Sequence, residues 1–122
     1  MTVADFLVES ILDDGLVVGA NGNIDVPLGT VFTELALTRV DGTPPELVSV
    51  ELGAVASVRL TVREVENKFF RKPLQVIPRG HTAGLRLDGE GMEHLREALQ
   101  TKQPREYVSM RATLPDGKAS VS

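Results

Sequence analysis

Apolar and polar residues alternate along most of the chain, which predicts a series of short β-strands. The clearest stretch is ASVRLTVRE at 56–64, where Ala56, Val58, Leu60 and Val62 would face a core and the residues between them solvent. A period of two is typical of an antiparallel strand with one buried face. Similar patterns predict further strands at 4–12, 16–20, 24–26, 30–40, 81–87 and 106–114, with a shorter one at 47–52.

Glycine, asparagine and proline separate these segments. The sequences DDG at 13–15 and NGN at 21–23 favour tight turns, since Asn, Asp and Gly tolerate positive φ. The DGTPPE stretch at 41–46 predicts a loop, because two prolines cannot continue a sheet ladder. Residues 4–12 are also compatible with a short helix.

Two segments carry a more particular pattern. Strict alternation over 30–40 would place Phe32 on the face opposite Leu35. In GMEHLREALQT, by contrast, Met92, Leu95 and Leu99 recur at helical spacing, which predicts a short amphipathic helix near residues 91–101.

Short strands, Gly/Pro turns and one helix together favour an all-β fold. We predict a small closed antiparallel β-barrel of six or seven strands with one short helix. The barrel domain is expected to span residues 1–114, followed by a flexible C-terminal tail at 115–122. With four Phe, one Tyr and no Trp, its core must consist mainly of Val, Leu and Ile.

Charge is unevenly distributed along the chain. The formal net charge is −4, yet residues 1–54 carry nine acids and one base, whereas residues 55–122 carry eight acids and twelve bases. We expect the two halves to interleave in space and to neutralise each other. The acidic total also argues against non-specific coating of nucleic acid.

A local basic segment stands out within the second half. The stretch FFRKPLQVIPRGHTAGLRLDG at 69–89 has five basic residues and no acid before Asp88. Adjacent aromatic and basic side chains suit a protein partner or a stacked base. The predicted partner-binding residues are Arg63, Lys68, Phe69, Phe70, Arg71, Lys72, Arg79, His81 and Arg86.

The sequence contains few groups suited to catalysis. It has no cysteine, no phosphate-binding Gly-x-x-x-x-Gly-Lys-Ser/Thr loop and no Gly-x-Ser-x-Gly elbow. His81 and His94 belong to different predicted elements and lack further ligands at metal-site spacing, so neither a metal nor another cofactor is predicted. We therefore predict a non-catalytic protein. A small enzyme using His81, Asp88 and the loop at 41–46 is the alternative.

The basic segment resembles the second domain of elongation factor Tu and related translation GTPases, a small antiparallel β-barrel. The family pattern Arg-Lys-x-Leu-Gln-Glu-Gly-x-Ala-Gly-x-x-x-Gly-x-x-Leu-x-Gly is matched at Arg71, Lys72, Leu74, Gln75, Gly80, Gly84, Leu87 and Gly89. The segment FLVESILDDGLVVGANGNI is similar to the opening strand, turn and hairpin of that domain. The likeness covers roughly residues 5–40 and 56–89.

This resemblance implies a barrel that docks a protein or an RNA. Val76 and Ile77 stand where the members that carry aminoacyl-tRNA have Glu-Gly, so their pocket for the terminal adenosine is not expected. Gly80, Gly84 and Gly89 are interpreted as residues required by barrel geometry.

The predicted function is a stand-alone binding module for a protein partner, with RNA or tRNA as the alternative ligand. A homodimer, formed through the helix stripe or the strand at 56–64, is a further hypothesis. No signal peptide and no membrane segment are recognised, so a cytoplasmic location without membrane association is expected.

Overall fold

The structure, a computed structural model, describes residues 2–22, 24–66 and 74–114. These residues contain eight strands and one helix. The strands are β1 (Thr2–Ile11), β2 (Val17–Asn21), β3 (Val26–Pro27), β4 (Val31–Asp41), β5 (Val48–Glu66), β6 (Val76–Ile77), β7 (Thr82–Glu90) and β8 (Glu106–Leu114), and the helix α1 is Met92–Thr101.

Six of these strands form a closed antiparallel barrel in the order β1-β2-β7-β5-β4-β8. The ring closes because β8 pairs with β1, from Thr2 opposite Leu114 to Val8 opposite Val108. The predicted all-β fold, its six-stranded barrel and its single helix near residues 91–101 are confirmed. Residues 4–12 lie mainly in β1, so the helical alternative for them is wrong.

The core consists of the inward faces of all six barrel strands together with Val26 of β3, Ile77 of β6 and Leu95 of α1. Val58, Leu60 and Val62 are buried as the alternation in 56–64 predicts, and Ala56 is half-buried. Leu95 of α1 is fully buried, so the helix packs its apolar stripe against the barrel. Phe6, Phe32, Leu35, Leu60, Leu85 and Met110 are among the largest fully buried side chains.

Irregular pairing between β4 and β5 changes the predicted faces. The register shifts between Phe32 and Glu34 and again between Leu35 and Ala36, which are β-bulges or similar irregularities. Phe32 and Leu35 are therefore both fully buried, and the prediction that they lie on opposite faces is wrong. The separate strands predicted at 47–52 and 56–64 are one continuous strand, β5.

Of the strand predicted at 24–26, only Val26 lies in a strand, β3. β3 pairs with β6, through Val26 opposite Ile77 and Pro27 opposite Val76, in a separate two-stranded sheet. Val26 and Ile77 are fully buried in the common core, so this small sheet packs onto the barrel.

Gly84 on β7 packs closely against a neighbouring side chain. A Cβ at Gly84 would lie 2.8 Å from the side chain of Leu16, so the absence of a side chain lets Leu16 cover β7. The predicted tail, residues 115–122, lies outside the described residues.

Candidate functional site

The predicted basic face is only partly described by the structure. Lys68, Phe69, Phe70, Arg71 and Lys72 lie outside the described residues. Four predicted residues can be located, namely Arg63, Arg79, His81 and Arg86. They lie in three places on the barrel and do not form a single cluster.

Arg86 on β7 is engaged within the protein. Its guanidinium donates to the Asp14 carboxylate over 2.8 Å and lies 3.3 Å from the carboxylate of Glu66. The hydrogen bond from Arg86, with a second from the backbone N–H of Leu16, lowers the pKa of the Asp14 carboxyl below its ordinary value of 3.8. Arg86 therefore forms ion pairs within the protein, and its charge is offset by two acids.

Ion pairs between segments that are distant in the sequence also lie on the outer face of the barrel. Arg111 on β8 contacts Asp5 on β1, Glu34 on β4 and Glu51 on β5. Burial opposes the charge on Arg111, but hydrogen bonds to Glu51 and Asp5 and the attraction of their charges raise its pKa. All of these acids, like Asp14, come from the first half of the sequence and their bases from the second. The expectation that the two halves neutralise each other in space is confirmed for these contacts.

Arg79 and His81 occupy a turn that we call the basic turn, residues 78–81. Both side chains are exposed, and no ion pair joins Arg79 to another described residue. The backbone of the turn, however, is closely held. Arg79 N donates to the Asp25 carboxylate over 2.8 Å, Gly80 N donates to the Gly22 carbonyl over 2.8 Å, and Asn21 N donates to the His81 carbonyl over 2.9 Å.

A buried amide anchors the basic turn from beneath. Asn21, only 5% exposed, donates from Nδ2 to the carbonyl oxygens of Ile24 at 2.8 Å, Ile77 at 2.9 Å and Pro78 at 3.2 Å. It thereby ties the NGN turn to the segment that enters the basic turn. The sequence predicts a turn at 21–23 but carries no sign that this asparagine is buried.

Arg63 lies at the other end of β3. Arg63 is exposed and follows Val62. The backbone N–H of Val62 donates to the Thr30 carbonyl oxygen, and the Val62 carbonyl oxygen accepts from the Gly29 N–H, just beyond β3. The backbone N–H of Arg79 donates to the carboxylate of Asp25, which lies just before β3. Arg63 and the basic turn therefore flank the two-stranded sheet, with Arg86 apart on β7.

The groups invoked for a small enzyme are spread over the fold. His81 immediately precedes β7 and Asp88 lies near its end, so roughly 20 Å of extended strand separates them. An open groove of about 320 Å³ lies elsewhere, between α1 and β5, where Arg59, Glu90 and His94 contribute to its lining. Within the described ranges, no three His, Cys, Asp or Glu side chains form a cluster suited to a metal ion.

A second exposed feature is the N-terminal half of β5. Among the described residues, 48–57 pair with β4 alone, since β7 joins β5 only from Arg59 onward. Val48, Leu52 and Val55 on this free edge are 58%, 41% and 47% exposed. The homodimer hypothesis invoked the strand at 56–64, yet at Leu60 and Thr61 that strand has partners on both sides.

No protein-family model, curated protein or solved structure matches this chain. The likeness to the elongation factor Tu barrel therefore stays a prediction from the sequence. In the part of the chain that the structure describes, no helix combines the length and the apolar character needed to cross a membrane.

Proposed function

We propose that this protein is a non-catalytic binding module that docks a protein partner with an acidic surface. The docking face comprises the basic turn and Arg63, on either side of the two-stranded sheet. The observation that carries the proposal is that Arg79 and His81 project from a backbone held by hydrogen bonds to three neighbouring residues, Asn21, Gly22 and Asp25.

Rigid support favours binding, because side chains presented on a fixed backbone lose less conformational freedom on association. Here the support comes from Asn21, whose buried amide contacts Ile77 and Pro78. Arg63 and Arg79 form no ion pair with another described residue, whereas the charges of Arg86 and Arg111 are offset by acids within the protein. The charges of Arg63 and Arg79 are therefore available to attract an acidic partner and to orient its approach.

A protein partner is favoured over RNA by the surrounding charge. The carboxylate of Asp25 lies directly behind the basic turn, where it accepts from Arg79 N, and the whole chain carries a net charge of −4. A nucleic-acid surface would normally offer several uncompensated cations to successive phosphates. A docking role also agrees with the resemblance to a translation-factor barrel, since such barrels act as accessory domains.

Charge reversal tests the proposal. The wild-type protein, the Arg63→Glu/Arg79→Glu variant and the Arg96→Glu variant are immobilised and exposed to extract from the source cells, with and without nuclease. Arg96 is an exposed cation on α1 and serves as the matched control. A protein captured by the wild type is then purified and titrated against all three proteins at several salt concentrations.

We expect nuclease-resistant capture of a protein whose affinity for the double variant is at least about tenfold lower, with Arg96→Glu unaffected. Equal affinity for the double variant and the wild type would refute this docking face. Capture that disappears with nuclease would instead establish the RNA alternative.

A further inference from the structure

We infer that Asn21 is a site of spontaneous deamidation. We also infer that the reaction is controlled by the junction beneath the basic turn, in which Asn21 is hydrogen-bonded to Ile24, Ile77 and Pro78. Asn21 is followed by Gly22, the neighbour that least obstructs the attack of its backbone nitrogen on an asparagine side chain. The other asparagines, Asn23 and Asn67, precede Ile24 and Lys68, whose side chains hinder the same attack.

The reaction needs no partner or cofactor beyond water. The Gly22 nitrogen loses its proton and forms a bond with Cγ of Asn21, the Cγ–Nδ2 bond breaks, and the nitrogen leaves as ammonia. Water then opens the resulting succinimide at either of its two carbonyl carbons. The products are aspartate, whose side-chain carboxyl replaces the amide, and isoaspartate, whose peptide bond runs through Cγ and whose free carboxyl is the former backbone carbonyl.

The native contacts oppose formation of the succinimide. The N–H of Gly22 is shared between the Asp5 carbonyl oxygen at 3.0 Å and the side-chain oxygen of Asn21 at 2.9 Å, which disfavours loss of its proton. The leaving nitrogen of Asn21 donates to three carbonyl oxygens. Reaction therefore requires local opening of the junction, and loss of these hydrogen bonds predicts a native rate about a hundredfold below that of the unfolded chain.

The product cannot restore the junction. A carboxylate at position 21 has no N–H groups for the carbonyls of Ile24, Ile77 and Pro78, and its negative charge is repelled by those oxygens. The segment that carries Arg79 and His81 would lose its support. Insofar as the proposed function is correct, deamidation would also weaken partner binding irreversibly.

The test measures chemistry and binding separately. The full chain is incubated at mildly alkaline pH, native and in concentrated urea, and the modified residue is located by peptide mass spectrometry. Asp25→Ala removes the acceptor of the Arg79 N–H, whereas Asp13→Ala alters an exposed turn acid with no described contact to the junction. We expect modification mainly at Asn21, a native rate about a hundredfold lower than in urea, and about fivefold acceleration by Asp25→Ala alone.

Three results would overturn the inference: equal rates in the native and unfolded chain, an equal effect of the two variants, or preferential modification of Asn23 or Asn67 in urea. None of these readouts involves a partner. If the kinetics hold while charge reversal of Arg63 and Arg79 leaves capture unchanged, only the proposed function fails. If the kinetics fail while charge reversal abolishes capture, only the deamidation site fails.

Discussion

Asn21 Nδ2 donates to the Ile77 carbonyl oxygen over 2.9 Å and so joins the end of β2 to the end of β6, 56 residues further along the chain. Further donations to Ile24 and Pro78 make this amide the link between β2, the two-stranded sheet and the basic turn. The basic turn, which is proposed to bind a partner, thus depends on one buried polar side chain.

Replacing Asn21 by alanine is expected to lower the free energy of unfolding by about 3 kcal/mol. The substitution removes the donors and leaves carbonyl oxygens at the junction without partners, which costs more than the hydrogen bonds themselves contribute. Gln75→Ala, at an exposed position in the same region, is the matched control and should change stability by less than about 0.5 kcal/mol. Urea denaturation of both variants measures the difference, and equal costs would contradict the role assigned to Asn21.

Sequence patterns predict the barrel well wherever one local rule decides the structure. The alternation around Val58 and Val62 identifies a half-buried strand, and the spacing of Met92, Leu95 and Leu99 identifies α1 and its packed face. In both cases burial follows from the period of the element alone.

The mispredicted features depend on distant parts of the chain. Phe32 and Leu35 are both buried because the pairing of β4 with β5 is irregular, and alternation within one strand cannot reveal this. Asn21 resembles an ordinary turn residue until the carbonyls of Ile77 and Pro78 are brought beside it by long-range folding. The candidate binding site was therefore only partly predictable: the exposed cations can be recognised, but their support cannot.

The ion pair between Asp14 and Arg86 predicts a pH dependence of stability. Because the pKa of Asp14 is lower in the folded protein than its ordinary value of 3.8, its contribution is fully present above that value and is lost as the pH falls through the folded pKa. Asp14→Asn removes the titrating group. The difference in unfolding free energy between wild type and Asp14→Asn should therefore be constant from neutral pH down to about pH 5 and should shrink below about pH 4.

Urea denaturation of the two proteins at successive pH values measures this difference, and Asp13→Asn is the control in the same turn. Its profile should parallel that of the wild type more closely, because no contact from Arg86 to Asp13 is present. A difference between wild type and Asp14→Asn that stays constant down to about pH 2 would show that Arg86 does not lower the pKa of Asp14 in solution.

Two glycines with positive φ allow the packing of the barrel wall to be tested apart from backbone strain. Gly89 on β7 has φ of 129° and Gly53 on β5 has φ of 102°, so alanine is unfavourable at both positions. A Cβ at Gly89 would lie 2.0 Å from the carbonyl oxygen of Arg59, whereas one at Gly53 would meet nothing within 4 Å. Gly53→Ala should cost about 1 kcal/mol of stability, the cost of the strain alone. Gly89→Ala should cost at least about 2 kcal/mol more, because β5 and β7 must separate to admit the methyl group.

Thermal and urea unfolding of both variants provide the comparison. Equal destabilisation would mean that β5 and β7 do not approach as closely in solution as the pairing of Leu60 with Gly89 requires.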